Sequence, residues 1–231
     1  MTDPTTTAAA VEDLDAIRRR VVNVVGHELR TPVTTIHGLA HAIAAAEDLA
    51  TVTEELGPAL LRNAERLTAL LDDLLMASGI TTAVPVGAPE PVAVHELLAE
   101  RWAAMGDGEL DVTGPSASAL VPRAALVRAV DPVVANAAQY GSGAPHVEVA
   151  AADGEVRIAV RSPGPALHPE EVRLATEAFF RGERAVTTRP GLGVGLAVAR
   201  TVAAQIGGRL SVAAADDGLV TTIELPAGEG G

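Results

Sequence analysis

The sequence contains no cysteine, so disulfides, thiolate metal sites and cysteine nucleophiles are excluded. Lysine is absent as well, and all 17 basic residues are arginines. Aromatic residues make up only 2% of the 231 residues, whereas apolar residues make up 48%. A sizeable core is therefore expected, and it must be built from Leu, Val, Ile and Ala rather than from aromatic rings.

Positive charge is scarce, because the 17 basic residues are outnumbered by 30 acidic ones and the net charge is −13. A surface that follows a nucleic-acid backbone needs clustered cations. The only tight cluster is Arg18, Arg19 and Arg20, and such a run is more typical of a solvated helix face. We therefore expect no nucleic-acid partner.

Long apolar runs are also missing, since no stretch reaches the roughly 18 to 20 residues that a membrane helix needs. The first ten residues are polar or small and lack the basic-then-apolar order of a signal peptide. We expect a disordered leader over residues 1–10, no membrane segment in this chain, and a soluble, cytoplasmic protein.

The first third of the sequence predicts two long helices. Apolar residues recur at intervals of three and four over residues 11–45, and again up to residue 77. Pro32 lies inside the first pattern and should kink that helix, whereas Thr53 or a neighbour is expected to cap the second. A hairpin of two helices cannot bury its apolar stripe alone, so we expect a homodimer in which two hairpins form a four-helix bundle.

A segment rich in Gly and Pro over residues 79–90 predicts a linker. Beyond it, strands and helices mix without regular βαβ alternation, which favours an α+β sandwich. The helices are predicted over residues 95–105, 123–140, 169–180 and 192–206. The predicted fold class is therefore α+β and multidomain, with a helical hairpin domain (11–78), the linker, an α/β sandwich domain (91–226) and a short tail (227–231).

The segment HELRTP at positions 27–32 carries the strongest chemical signal. A lone histidine on a helix is ordinarily a surface or core residue, but Thr31 lies four residues after His27 and so shares its helix face. Glu28 is the next residue and would have to reach the ring by its choice of rotamer. A carboxylate that accepts the ring N–H fixes the tautomer and makes a neutral imidazole a better nucleophile.

The sixteen residues at 23–38 around this segment resemble the H-box of sensor histidine kinases of two-component signalling. The resemblance implies that His27 accepts phosphate, that Glu28 acts as general base, and that Thr31 helps to position water when the phosphorylated partner is dephosphorylated. It also implies a dimerisation and phosphoacceptor domain followed by a GHKL-type ATP-binding domain, with a response-regulator receiver domain as the partner that accepts phosphate on an Asp.

A glycine-rich run, RPGLGVGL at positions 189–196, precedes the last predicted helix. Glycines let a backbone approach phosphates closely, and helix N-termini favour anions, although a plain helix-start loop is equally compatible with this run alone. The run resembles the G2 box of the kinase ATP lid, and Phe179 and Phe180 resemble the F-box. That resemblance implies that Gly191, Gly193 and Gly195 cradle the phosphates of ATP.

The helix predicted over 123–140 resembles the N-box of the same family, in which the residue matching Asn136 coordinates the Mg²⁺ that bridges the ATP phosphates. Two positions depart from the pattern: Pro132 replaces a common Asn, and Gln139 replaces a common basic residue.

The segment at 160–167 resembles the G1 box, which implies that Ser162 and Gly164 line the adenine pocket. Here Ser162 replaces the Asp that accepts the adenine amino proton, and Ala166 replaces a second Gly. A hydroxyl can still accept that hydrogen bond, directly or through water.

Three functions follow from these patterns. The first is an ATP-dependent protein-histidine kinase that uses Mg²⁺ and ATP. The second is a degenerate kinase that acts as a phosphotransfer protein, phosphatase or scaffold without ATP-dependent activity, and the substitutions at Ser162, Ala166, Pro132 and Gln139 motivate it. The third, an unrelated ATPase with the same nucleotide-binding fold, leaves the H-box unexplained. We favour the first, and the order of the H, N, G1, F and G2 segments makes the family resemblance on which it rests more specific than any single motif.

Overall fold

The computed structural model describes residues 4–46, 48–80, 87–105, 110–165, 167–182 and 191–228, with side chains described from residue 22 onward. The chain divides into two compact units. The first comprises Met1–Leu74 with Pro190–Leu192, and the second comprises Leu75–Arg189 with Gly193–Gly231.

The first unit is built from helices α1 (Pro4–Ala44) and α2 (Leu49–Ala77). Helix α1 begins at Pro4, whereas the sequence predicted a disordered leader over residues 1–10 and a helix from residue 11. Proline is well accepted in the first turn of a helix, because the amide that it lacks has no helical partner there. The alanines at positions 8–10 are strong helix formers and continue the helix into the predicted stretch.

Asp48 caps the second helix of the hairpin. Its Oδ1 accepts hydrogen bonds from the backbone N–H groups of Ala50 at 3.1 Å and Thr51 at 3.3 Å, and its Oδ2 accepts one from the Thr51 hydroxyl at 2.7 Å. The bond from the Thr51 hydroxyl, followed by those from the backbone, lowers the pKa of Asp48 because all of them favour the charged carboxylate. The predicted cap at Thr53 is therefore wrong, since Thr53 lies inside α2.

The second unit mixes short strands with helices. Its elements are β1 (Glu90–Ala93), α3 (Val94–Met105), β2 (Asp111–Thr113), β3 (Ser118–Val121), α4 (Arg123–Tyr140), β4 (His146–Ala152), β5 (Glu155–Pro163), α5 (Pro169–Leu174), α6 (Gly195–Gln205), β6 (Arg209–Ala215) and β7 (Gly218–Pro226). Strands β2-β4-β5-β7-β6 form a sheet in that order, in which only the β2–β4 pair is parallel. Strands β1 and β3 form a separate antiparallel pair.

One face of the five-stranded sheet carries the core. The alternation expected of a half-buried strand is clear in β5, where Val156, Ile158 and Val160 are buried and pack in one cluster with residues of α3, α4 and α6. Charged pairs occupy exposed positions of the sheet, for example Arg209 with Glu155 at 3.1 Å and with Glu224 at 2.6 Å. A helical hairpin followed by a two-layer α/β unit confirms the predicted fold class.

The last turn of α2 belongs to the second unit, where Met76 is buried against Ala125, Ala129, Val198 and Val202. Within the ranges described above, no helix has both the length and the apolar character needed to cross a membrane.

Two helices differ from the sequence-based expectation. Helix α5 ends at Leu174 rather than near residue 180, because the chain turns so that the Phe179 N–H donates to the Gly193 carbonyl at 2.9 Å. Phe179 itself has φ 66°, which is incompatible with a right-handed helix. Helix α6 begins at Gly195 rather than at residue 192, because Gly193 has φ 71°.

Candidate functional site

The residues of the predicted H-box lie on the C-terminal half of α1. His27 and Thr31 are exposed and Glu28 is half-buried. The Thr31 hydroxyl donates to the backbone carbonyl of His27 at 3.3 Å, so its hydrogen bond goes to the helix backbone rather than to the imidazole. Thr35 repeats this arrangement with the carbonyl of Thr31 at 3.1 Å.

Pro32 lies inside α1 and is buried. It cannot donate the amide hydrogen bond that the carbonyl of Glu28 would accept in a regular helix, so the backbone next to His27 is less constrained than elsewhere in α1. The element runs from Pro4 to Ala44 without interruption, and a kink at Pro32 stays a prediction. The exposed imidazole of His27 is open to approach by another macromolecule or domain.

Asn136 lies on α4 at the border between the core and the surface. Its neighbours Val133, Val134 and Ala137 are buried in the core cluster, whereas Asn136 is half-buried. The packing of these neighbours fixes the helix face, so the amide group of Asn136 is held at the edge of the core by a rigid element.

The predicted G1 segment lies at the end of β5, next to the end of α4. The N–H of Ser142, just beyond α4, donates to the carbonyl of Pro163 at 2.7 Å. A Cβ added to Gly164 would lie 3.7 Å from the carbonyl oxygen of Tyr140. The structure therefore brings together the C-terminal end of the helix that carries Asn136 and the segment that contains Ser162 and Gly164.

The turn between β6 and β7 supports the same segment, and sequence reasoning did not identify it. The N–H of Gly164 donates to the carbonyl of Asp217 at 2.7 Å, and Arg161 Nε donates to Asp217 Oδ1 at 3.1 Å. A Cβ on Gly218, which has φ 148°, would lie 2.1 Å from the carbonyl oxygen of Ser162. The Asp-Gly pair is a visible turn signal, but its place beside Ser162 depends on the pairing of β5 with β7.

Two of the three predicted phosphate-binding glycines pack into the second unit. A Cβ on Gly193 would lie 2.5 Å from the carbonyl oxygen of Phe180, and a Cβ on Gly195 would lie 3.3 Å from the Cβ of Pro132. The predicted G2 and F segments are thus in contact, and Gly195 lies against α4. The family pattern has an asparagine at position 132. Here the ring of Pro132 packs against the start of α6 instead.

The third predicted glycine, Gly191, has φ 135°, a backbone conformation that favours glycine. Gly191 and Leu192 group with the helical unit, whereas Gly193 and Gly195 belong to the second unit. Ala166 and residues 183–190 lie outside the described residues.

The second unit offers little to a metal ion on its own. Across the described part of the chain, no group of three or more His, Asp or Glu side chains is arranged to hold a metal. Mg²⁺ usually keeps several waters and binds through few protein groups together with substrate phosphates. The amide oxygen of Asn136 fits such a site, in which a nucleotide supplies most of the ligands.

Two family models match the chain, one in its N-terminal part and one in its C-terminal part. Residues 17–82 match the His Kinase A (phospho-acceptor) domain, and residues 122–229 match the histidine kinase-, DNA gyrase B- and HSP90-like ATPase family. The first match contains the exposed His27, and the second contains Asn136, Ser162 and the glycine run.

Several curated proteins are similar to this chain. The sensor-like histidine kinase SenX3 of Mycobacterium tuberculosis strain H37Rv is 29% identical over 229 residues, which cover 93% of this chain and 55% of SenX3. The signal transduction histidine-protein kinase/phosphatase MprB of Mycolicibacterium smegmatis is 30% identical over 211 residues, which cover 84% of this chain and 41% of MprB. The chain thus spans about half the length of the curated relatives that it matches.

Solved structures show the same architecture. The mycobacterial sensor histidine kinase MprB superimposes with a TM-score of 0.52 at 30% identity, over 61% of this chain and 98% of that structure. Full-length ShkA in complex with AMPPNP has a TM-score of 0.58 at 21% identity and shows a shared fold over 90% of this chain and 46% of that structure. An exposed histidine on a helical hairpin and an ATPase-type α/β unit define a two-component kinase core. The chain belongs to the sensor histidine kinases.

Proposed function

We propose that this chain is an ATP-dependent protein-histidine kinase core that autophosphorylates His27 from Mg·ATP. The phosphate then passes to an Asp on a response-regulator receiver domain. One observation carries the proposal: the HELRTP histidine is exposed on α1, and the same chain contains a unit in which Asn136 lies on α4 while Gly164 and Gly195 lie against that helix. A phosphoacceptor and a nucleotide-binding unit are both needed for autophosphorylation.

The helical hairpin supplies the nucleophile. One nitrogen of the His27 ring attacks the γ-phosphorus of ATP, a phosphoramidate bond forms, and ADP leaves. Glu28 accepts the proton from the ring and stabilises the tautomer that presents the attacking nitrogen. Thr31 shares the helix face of His27, and its hydroxyl can leave the His27 carbonyl to orient the water molecule that dephosphorylates the phosphorylated response regulator.

The α/β unit supplies the binding site for the nucleotide. Asn136 would hold Mg²⁺, which neutralises charge on the phosphates when it is bound. Backbone N–H groups around Gly193 and Gly195 would cradle the phosphates, because a glycine backbone can approach them closely. Ser162 would accept the hydrogen bond from the adenine amino group. Catalysis of this kind depends mostly on positioning and electrostatic stabilisation.

The apolar surface of the hairpin supports a homodimer. Val22 and Leu61 are each 63% exposed, and Leu49 and Leu71 are 57% and 47% exposed. Burial of these side chains against a second hairpin would form the four-helix bundle that the sequence predicts. The receiver domain of the response regulator would then dock on the bundle near His27.

A kinase that has lost ATP-dependent activity is the second candidate, and Ser162 in place of the family's Asp is the observation that favours it. A serine hydroxyl retains the acceptor that the adenine amino group needs. The main-chain support of the segment by Asp217 and Ser142 also favours an intact pocket. The active kinase therefore remains the better-supported function.

Incubation of the chain with γ-labelled ATP and Mg²⁺ tests the proposal. The wild type should acquire an acid-labile label, and His27→Gln should acquire none while it binds ATP normally by calorimetry. His168→Gln is the matched control, because His168 is also exposed and should be dispensable. ATP binding without any label in the wild type, or a label that persists in His27→Gln, would contradict the proposal.

A further inference from the structure

Two exposed histidines, His37 and His41, lie one turn apart near the end of α1. Their ring centroids are 4.4 Å apart, and the ring planes meet at 68°. We propose that this pair binds one divalent transition-metal ion of the Zn²⁺, Ni²⁺ or Cu²⁺ type. This site is additional to the kinase activity proposed above and does not depend on it.

The separation of the rings fits bidentate coordination. Metal–nitrogen bonds of about 2.0–2.1 Å place the centroids of two imidazoles bound at right angles to one ion roughly 4.5 Å apart. The observed 4.4 Å is close to this value. In the structure the two rings meet edge to face, so each exposed ring must rotate about its side-chain torsions to aim one nitrogen at a shared ion, while the spacing of four residues keeps both on one helix face.

The donor chemistry selects the class of ion. Imidazole suits Zn²⁺, Cu²⁺ and Ni²⁺, whereas Mg²⁺ and Ca²⁺ prefer oxygen ligands. On the same helix face, the neighbours at spacings of three residues are Ala40 and Ala44, which leave space for water ligands. In the described ranges no third His, Asp or Glu completes the group, so water would fill the remaining positions.

Electrostatics at this end of α1 also favours a cation. The helix ends at Ala44, so His41 lies in its last turn, where the helix dipole places partial negative charge. The chain as a whole has a net charge of −13. Both features raise the local concentration of divalent cations around the two rings.

The pair is well separated from the phosphoacceptor histidine. Ten residues separate His37 from His27, which corresponds to about 15 Å along a helix. An ion held by His37 and His41 therefore does not contact the His27 ring. The bound ion would crosslink two successive turns of α1. It would stabilise the folded chain increasingly as the concentration of free metal rises.

Titration calorimetry of the whole chain with Ni²⁺ or Zn²⁺, in a buffer that does not chelate metals, tests the inference. We expect one ion per chain, and His37→Gln or His41→Gln should each weaken binding by about tenfold or more, because a second tethered ligand multiplies the affinity. Metal should also raise the thermal midpoint of the wild type, with the helical signal in circular dichroism as the readout.

A rearranged variant is the matched control. His41→Ala combined with Ala42→His keeps the number of histidines but moves the second ring off the face of His37. It should bind no better than His41→Gln while it retains the helical content of the wild type. Wild-type affinity in the rearranged variant or in His37→Gln/His41→Gln, or a wild type that binds no Ni²⁺ or Zn²⁺, would overturn the inference.

Discussion

Arg101 on α3 and Asp131 on α4 form a two-point ion pair, with Arg101 Nε 2.7 Å from Asp131 Oδ1 and Nη2 2.8 Å from Oδ2. The hydrogen bonds to Asp131 raise the pKa of Arg101, since they favour the charged guanidinium. Asp131 directly precedes Pro132, whose ring lies against Gly195. The pair thus anchors α4 at the point where it meets the glycine run and one turn before Asn136.

Breaking this pair should cost stability. The side chains of Arg101 and Asp131 are 25% and 31% exposed, so we expect Arg101→Gln or Asp131→Asn to lower the free energy of unfolding by about 1–2 kcal/mol. A double-mutant cycle from urea unfolding should give a clear coupling energy. The same cycle on the more exposed pair Arg173–Glu170 should give a value near zero, and equal couplings for the two pairs would contradict the anchoring role.

Gly193→Ala should weaken both stability and nucleotide binding. An alanine with φ near 71° costs about 1–2 kcal/mol, and its Cβ would come within 2.5 Å of the Phe180 carbonyl oxygen. The loop must therefore shift, and the dissociation constant for ATP by calorimetry should rise by about tenfold or more. Gly143→Ala is the control, because a Cβ there meets nothing within 4 Å. Equal effects of the two changes would show that the close approach at Gly193 is unimportant.

Ser162→Asp should tighten ATP binding. A hydrogen bond to a charged group contributes roughly 1.5–3 kcal/mol, which corresponds to about 10- to 150-fold in affinity. The measurement is calorimetry with ATP and Mg²⁺, and Ser211→Asp is a control for added negative charge, because Ser211 is exposed on β6. An unchanged dissociation constant for Ser162→Asp would mean that this position does not meet the adenine amino group.

The cap at Asp48 makes the hairpin sensitive to acid. Because the pKa of Asp48 is lower in the folded chain than its ordinary value of 3.8, its stabilisation of α2 is present above that value and is lost as the pH falls below it. Thermal midpoints of the wild type and Asp48→Asn should therefore converge as the pH decreases through this range. A constant difference between them would contradict a charged cap.

The long amphipathic elements could be predicted from the sequence, because their apolar spacing and their packing agree. Helix α4 occupies the predicted residues 123–140, and α3 begins one residue before the predicted residues 95–105. Hydrophobic periodicity is a local signal, and for these elements the core only reinforces it.

The local signals failed where distant contacts decide the backbone. The apolar pattern continues through Phe179. However, the Phe179 N–H donates to the carbonyl of Gly193, fourteen residues later, and the chain is no longer helical at this point. The support of Gly164 by Asp217 likewise depends on strand pairing over more than fifty residues. In the H-box segment, the sequence alone identifies His27, Glu28 and Thr31 as candidate site residues. Only the structure shows that the Thr31 hydroxyl is hydrogen-bonded to the helix backbone.

Whether His27 receives the phosphate is best tested by locating the phosphate in the chain. The chain contains six histidines, so after reaction with Mg·ATP the modified residue should be mapped by fragmentation mass spectrometry at neutral or alkaline pH, where phosphohistidine survives. We expect one phosphoryl group on the peptide that contains His27, removed by mild acid. Phosphate on another histidine, or an acid-stable phosphate on Ser or Thr, would contradict it.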